Sequence, residues 1–199
     1  FYLLSIGLAF LACCYFLPPI FQLSNEATIT KIQDILDAIS ADSETDLARL
    51  QKQLERGAKF NPNYNAEKNE KTYLAFESDS LIFWTDDHSV FDVDDLMSDK
   101  AFVVSSNAIY LKTAQKVDSR TYLCLSLLQN RYPINNESLK NKLSIQLEFP
   151  SIKSISIEGG DAELEIKGSK DKLYINFKAH KTSNTVIGFF VFLFLISLY

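Results

Sequence analysis

Charge is confined to the middle of this chain. No Asp, Glu, Lys or Arg precedes Glu26 and none follows Lys181, so each end of the 199-residue sequence is an uncharged apolar segment. A helix needs roughly 20 apolar residues to cross a hydrocarbon core about 30 Å thick. Residues 1–23 reach that length, with Pro18-Pro19 expected to bend the chain near an interface. The second apolar run starts near Thr185 and is still apolar at Tyr199, which reads as the start of a truncated span in a fragment of a longer protein. The expected organisation is a transmembrane helix over 1–23, an extracytoplasmic domain over 24–184, and the start of a second transmembrane helix over 185–199.

A cleaved signal peptide is the competing reading of the first segment. Its apolar run continues past the small residues around Ala12-Cys13, and Tyr15-Phe16-Leu17 would make a poor start for a mature soluble chain. A retained helix is therefore the expectation. The loops on the far side of the two expected spans, where a Lys/Arg bias would be compared, are not in the sequence, so orientation does not follow from a charge bias.

The central block carries the net charge of −5 and has no basic stripe to neutralise phosphates, which argues against nucleic acid as a partner. Of the three Cys, Cys13 and Cys14 fall in the first apolar run. Cys124 lies in Tyr122-Leu123-Cys124-Leu125 and reads as a core residue without a disulfide partner.

Period and punctuation outline the elements. Ile29, Ile32, Leu36 and Ile39, then Leu47, Leu50 and Leu54, recur at three and four residues. They predict two helices, or one with a break near Asp42-Ser43, where either residue can cap a new helix. Gly57 stands where a helix would end. From Thr72 the period becomes two. Strands are expected over 72–76, 80–85, 101–105, 108–116 and 120–129, with turns at Glu77-Ser78-Asp79 and Asp118-Ser119. A short helix is expected from Asn135 to about Leu143. Alternating Ile155/Ile157, Leu164/Ile166 and Leu173/Ile175/Phe177 then predict a series of hairpins turning at Glu158-Gly159-Gly160-Asp161 and at Gly168-Ser169-Lys170-Asp171. Helices first and strands afterwards make the fold class α+β, mostly antiparallel sheet.

Chemistry is sparse. Asp86-Asp87-His88 with Asp92, Asp94 and Asp95 is an acidic run that a hard cation can use, but it lacks the glycine and closing Glu of an EF-hand loop and reads first as a solvated loop. Two distant His and one usable Cys fall short of a zinc site. There is no Gly-x-Ser-x-Gly elbow, no Cys–His pair and no phosphate-binding glycine loop, so no residue is assigned a catalytic role. Trp84 ends a strand beside the acidic run. It reads as core, or alternatively as one wall of a ligand site with Asp86, Asp87 and His88.

Three stretches carry a likeness. Asp79-Ser80-Leu81-Ile82-Phe83-Trp84-Thr85-Asp86-Asp87 is similar to a "D-S-L-x-F-W-S-D-N" strand, and Leu127 to Leu139, with Arg131-Tyr132-Pro133, to an "I-K-x-x-Y-P-x-x-N-x-x-L" segment. Leu164 to Tyr174 precedes the second apolar run as the corresponding stretch does in the same group. In order and spacing they resemble the periplasmic sensor regions of membrane histidine kinases from Bacteroidetes-type bacteria. Leu128-Gln129 departs from the usual Ile-Lys.

The resemblance implies a PAS- or Cache-like ectodomain on the bacterial inner membrane, periplasmic in its central part and homodimeric. It would pass binding of a small-molecule or protein ligand to a cytoplasmic kinase. The implied activity is autophosphorylation with ATP and Mg, then phosphotransfer to a response regulator. The residues for that chemistry are not in this chain, which on this reading has no cofactor of its own. A non-signalling membrane-anchored envelope scaffold or assembly protein is the alternative.

Overall fold

The computed structural model describes residues 2–57, 70–85, 91–134, 136, 140–166 and 169–178, with side chains from Asn25 onward. Two compact units are separated: Lys31–Phe177, and Phe1–Thr30 with Lys178–Tyr199.

One helix, α1, runs from Tyr2 to Glu55. Its backbone continues through Pro18-Pro19, and it has no break at Asp42-Ser43. Ser43 is not a cap: it sits mid-helix, fully buried, with its hydroxyl 3.2 Å from the Ser126 hydroxyl. A polar side chain that finds a partner across the interface need not interrupt a helix, which is why the capping signature misleads here. The helix ends at Gly57 (φ +64°), whose N–H donates to the Leu54 carbonyl at 3.1 Å; only glycine adopts that backbone without strain.

The expected transmembrane helices need correcting. Among the described residues no helix is long and apolar enough to cross a membrane. The first apolar run is not a separate element ending at Leu23. Its backbone belongs to a 54-residue helix, Tyr2–Glu55, whose part from Asn25 onward carries Glu26, Lys31, Asp34, Asp37, Asp42 and Glu44, a density of charge that a hydrocarbon environment does not admit in that part. Residues 185–199, expected to start a second span, lie outside the described residues. The architecture found is one long helix and two antiparallel sheets.

The larger sheet has β1 (Lys71–Glu77), β2 (Ser80–Trp84), β3 (Phe102–Val104), β4 (Ala108–Val117) and β5 (Arg120–Asn130), in the order β2-β1-β5-β4-β3. Two tight connections set its register. Glu77 pairs with Ser80 across Ser78-Asp79, and Val117 with Arg120 across Asp118-Ser119. Ser78 (φ 53°) and Asp118 (φ 52°) take the left-handed backbone these turns require.

Both faces of this sheet are covered, so β1 and β5 read as nearly unbroken apolar runs rather than as alternation. On one face Tyr73, Ala75, Tyr122 and Cys124 pack against Leu47 and Leu50 of α1. On the other, Leu74, Phe76, Leu123 and Leu125 pack with Val103, Tyr110 and Leu96. Leu96 belongs to α2 (Val93–Met97), which Asp92 caps by accepting from the Asp94 N–H at 3.0 Å. The Lys112 ammonium closes the far end of α2, donating to the carbonyls of Leu96 (3.1 Å), Asp95 (3.4 Å) and Ser98. A cation there complements the negative end of the helix. Burial lowers the Lys112 pKa, the carboxylates of Asp99, Asp171 and Asp95 offsetting it in part.

The smaller sheet is ordered β6-β8-β7, with β6 Ile152–Ser156, β7 Ala162–Glu165 and β8 Lys172–Phe177. β8 is central, so the hairpin expected between β6 and β7 does not form. Ile175 pairs with Ile155 on one side and Ala162 on the other, and the chain between them crosses over β8. Gly160 makes that crossing possible. A Cβ there would come within 3.0 Å of both the Ile175 carbonyl oxygen and the Tyr174 Cβ. Of the helix expected over 135–143, residues 135 and 137–139 lie outside the described residues. Leu143 forms a bridge with Gln129, and the helical turn present is 3-10, Ile145–Leu147. Gln129 also joins the two sheets, its Oε1 accepting from the Ile155 N–H at 2.9 Å. Asp171 does the same, accepting from the Ala101 N–H at 2.5 Å.

Candidate functional site

A cavity of about 430 Å³ opens where β5 ends and the β3–β4 connection turns. That volume lies within the range of small-molecule sites. Val104, Ser105 and Ser106 form one wall, and Gln129, Arg131, Tyr132, Pro133 and Asn141 form the other. The backbone holding these side chains is well tied. The Arg131 N–H donates to the Asn107 carbonyl at 2.6 Å, and the Asn130 N–H to the Lys142 carbonyl at 2.9 Å. The Tyr132 N–H donates to Asn141 Oδ1. The Ser105 hydroxyl lies 2.7 Å from Asn107 Oδ1 and closes the β3–β4 turn.

The polar ends facing this space are mostly donors without partners. Gln129 is only 7% exposed, and with its Oε1 held by Ile155 the free end of its amide is the Nε2 donor. Among the described residues the Arg131 guanidinium, the Tyr132 hydroxyl and the Ser106 hydroxyl have no hydrogen bond or ion pair. Among the described residues no Asp or Glu lines the cavity. Gln129 is the buried member of this set; Tyr132 is half-buried, and Arg131 and Ser106 are exposed, so their polar ends are open to solvent or to a ligand. The site therefore presents one fixed positive charge and several donors, with Val104 and Pro133 supplying apolar contact.

A second polar cluster lies between α1 and β1. Lys71 donates to Asp42 at 2.6 Å and Asp46 at 3.0 Å, and the Tyr73 hydroxyl donates to Asp46 at 2.6 Å. Burial alone would lower the Lys71 pKa, but the two carboxylates outweigh it and the net shift is upward. Tyr73 is raised by burial and then by its bond to Asp46. Cys124, beside Ser43 and Ser126, is raised mainly by burial and is inert as a nucleophile. These groups satisfy one another, so the cluster clamps the helix to the sheet and leaves no group free for chemistry.

Of the residues singled out for a ligand site in the sequence, Trp84 alone is described, and it is not among the described residues that line the cavity. Trp84 ends β2, opposite Leu74 in register, and is 54% exposed, which corrects its reading as core. β2 is an edge strand, and its side chains receive cover on fewer sides than those of β1. Asp86, Asp87 and His88 lie outside the described residues, as does His180. The rest of the acidic run has structural tasks: Asp92 caps α2 and Asp95 pairs with Lys100 at 3.1 Å. Among the described residues no group of three or more His, Cys, Asp or Glu could hold a metal ion. Sequence reading passed over the cavity because Gln129, Ser106 and Asn141 form no motif. The one available signal was that Arg131-Tyr132-Pro133 falls in a stretch of recognised likeness.

Comparison with known proteins finds no matching family model, curated protein or solved structure. No family evidence therefore supports classing the chain under signal transduction or kinases, and with no membrane-spanning helix among the described residues the classification as a transmembrane receptor is withdrawn.

Proposed function

We propose that this domain is the ligand-sensing part of a two-component sensor histidine kinase, with the cavity at Arg131 as its ligand site and α1 as the element that passes occupancy onward. The observation that carries the reading is that the Arg131 guanidinium, the Tyr132 hydroxyl and the Gln129 Nε2 have no partner among the described residues, at the end of the strand whose middle holds α1. β5 presents Ser126 and Cys124 to the helix and Gln129 to the cavity, so one rigid strand touches both. Coupling requires only that the ligand bind two arrangements of this strand and helix with different affinity. The likeness of residues 79–87, 127–139 and 164–174 to periplasmic sensor regions supports the output, a kinase that phosphorylates itself and then a response regulator.

The test uses the full-length protein. Ser106→Trp fills the cavity and is expected to fix autophosphorylation at one level, whereas the wild type responds to ligand. A full-length protein without a phosphoacceptor His or ATP-binding domain would end the kinase assignment. Ligand-dependent output unchanged by Ser106→Trp would end the assignment of the cavity.

A further inference from the structure

We propose that the cavity at the end of β5 takes a small monocarboxylate with an apolar tail. The inference rests on the reading of this cavity as a ligand site and names the ligand's chemistry. The cavity's described lining holds the Arg131 guanidinium and Gln129, more than nine-tenths buried and with its Oε1 already taken by the Ile155 N–H, beside the Tyr132 and Ser106 hydroxyls, which can each donate or accept. Acceptor-only ligand groups satisfy such a set, and the commonest is a carboxylate, which a guanidinium grips with two parallel hydrogen bonds. A cationic ligand is disfavoured because no Asp or Glu is among the described residues that line the space. A neutral amide offers the guanidinium no charge to meet.

Charge separates a carboxylate from a dianion. Among the described residues one Arg is the only cation lining the cavity, and the whole chain carries a net charge of −5. A phosphate or sulfate dianion would leave a negative charge uncompensated beside a domain that already repels it. The volume adds the tail. About 430 Å³ exceeds what a carboxylate group fills, and Val104, Pro133 and the Tyr132 ring offer apolar contact for the remainder.

Butyrate and benzoate are titrated into the intact 199-residue chain by calorimetry at constant ionic strength, with butyramide, benzamide, phosphate and sulfate in parallel. Saturable binding of a monocarboxylate is expected, weakened about tenfold or more in Arg131→Gln. Arg131→Lys, which keeps the charge but not the planar fork, is expected to fall between the two. Wild-type binding is expected to hold at neutral pH and to fade as pH drops through the ligand's own pKa, near about 4. Amides that bind as well as their acids, dianions that bind more tightly than either acid, or carboxylate binding unchanged in Arg131→Gln would each overturn the proposal while leaving the cavity a ligand site. No saturable binding of either acid also overturns it, and whether the cavity has a role is then read separately from Ser106→Trp in the full-length protein. Arg131 is exposed, and its side chain makes no bond to another described residue, so loss of structure is not expected to explain loss of binding; circular dichroism of Arg131→Gln checks this.

Discussion

The Tyr73 hydroxyl donates a 2.6 Å hydrogen bond to Asp46, joining β1 to α1 across 27 positions of sequence. Asp46 also accepts from Lys71 at 3.0 Å, so one half-buried carboxylate receives two donors from the same strand. Bonds to a charged acceptor exceed neutral ones in strength, and both partners here are partly shielded from water. Tyr73→Phe is expected to cost about 1.5–3 kcal/mol, measured by urea unfolding. A loss within experimental error would show that the hydroxyl finds equal compensation from solvent.

The same cluster sets an alkaline limit. Lys71 and Tyr73 both hold their protons more tightly in the folded state than at their ordinary values of 10.5 and 10.0. The unfolded chain therefore releases those protons first. The stability they contribute is fully present below pH 10 and is lost as pH rises through 10 and beyond. Asp46→Asn removes the charge that contributes to both shifts and should flatten this fall, as read from melting temperatures across pH 8–11.5 (an interval of about 1–2 units either side of 10).

Cys124 is fully buried between α1 and the sheet, with its thiol raised by burial. Iodoacetamide is expected to leave it unmodified in the native chain and to label it on unfolding, with peptide mass mapping separating it from Cys13 and Cys14. Rapid native labelling would mean that α1 leaves the sheet readily.

Gly160 faces the backbone of β8, and a methyl group there would stand a tight 3.0 Å from both the Ile175 carbonyl oxygen and the Tyr174 Cβ. Gly160→Ala should cost about 1–3 kcal/mol, since overpacking against a strand forces the crossing loop away. Gly159, with nothing within 4 Å, is the matched control: Gly159→Ala should stay within about 0.5 kcal/mol of wild type.

Trp84 is the only Trp and is 54% exposed. Its fluorescence should be quenched by acrylamide in the folded chain, and Trp84→Phe should change stability by no more than about 0.5 kcal/mol. Emission resistant to quencher would place the indole under cover.

The elements of the larger sheet were legible because their signals are local. Apolar runs bounded by Glu77-Ser78-Asp79 and Asp118-Ser119 place β1, β2, β4 and β5 within a residue or two of where they lie. The α1 face from Ile32 to Leu54 was equally plain, since three- and four-residue spacing admits one periodic structure. Ser43 was misread because a hydroxyl that caps a helix and one that meets Ser126 across an interface are the same letter. The order β6-β8-β7 was hidden for a related reason: Gly-Gly between two alternating runs suits a tight hairpin, and here it serves a crossing over a third strand.

The amino-acid sequence by itself determined the periodicities, the turns at Ser78 and Asp118 and the Gly57 helix end, because each depends on backbone preferences and spacing within a few residues. Tertiary structure alone decided that Gln129, Arg131, Tyr132 and Ser106 share a cavity, and that Asp46 serves Tyr73 and Lys71. Those relationships depend on which strand lies beside which and which face each presents. Such choices are made by the packing of the whole core, in which no single segment carries the information.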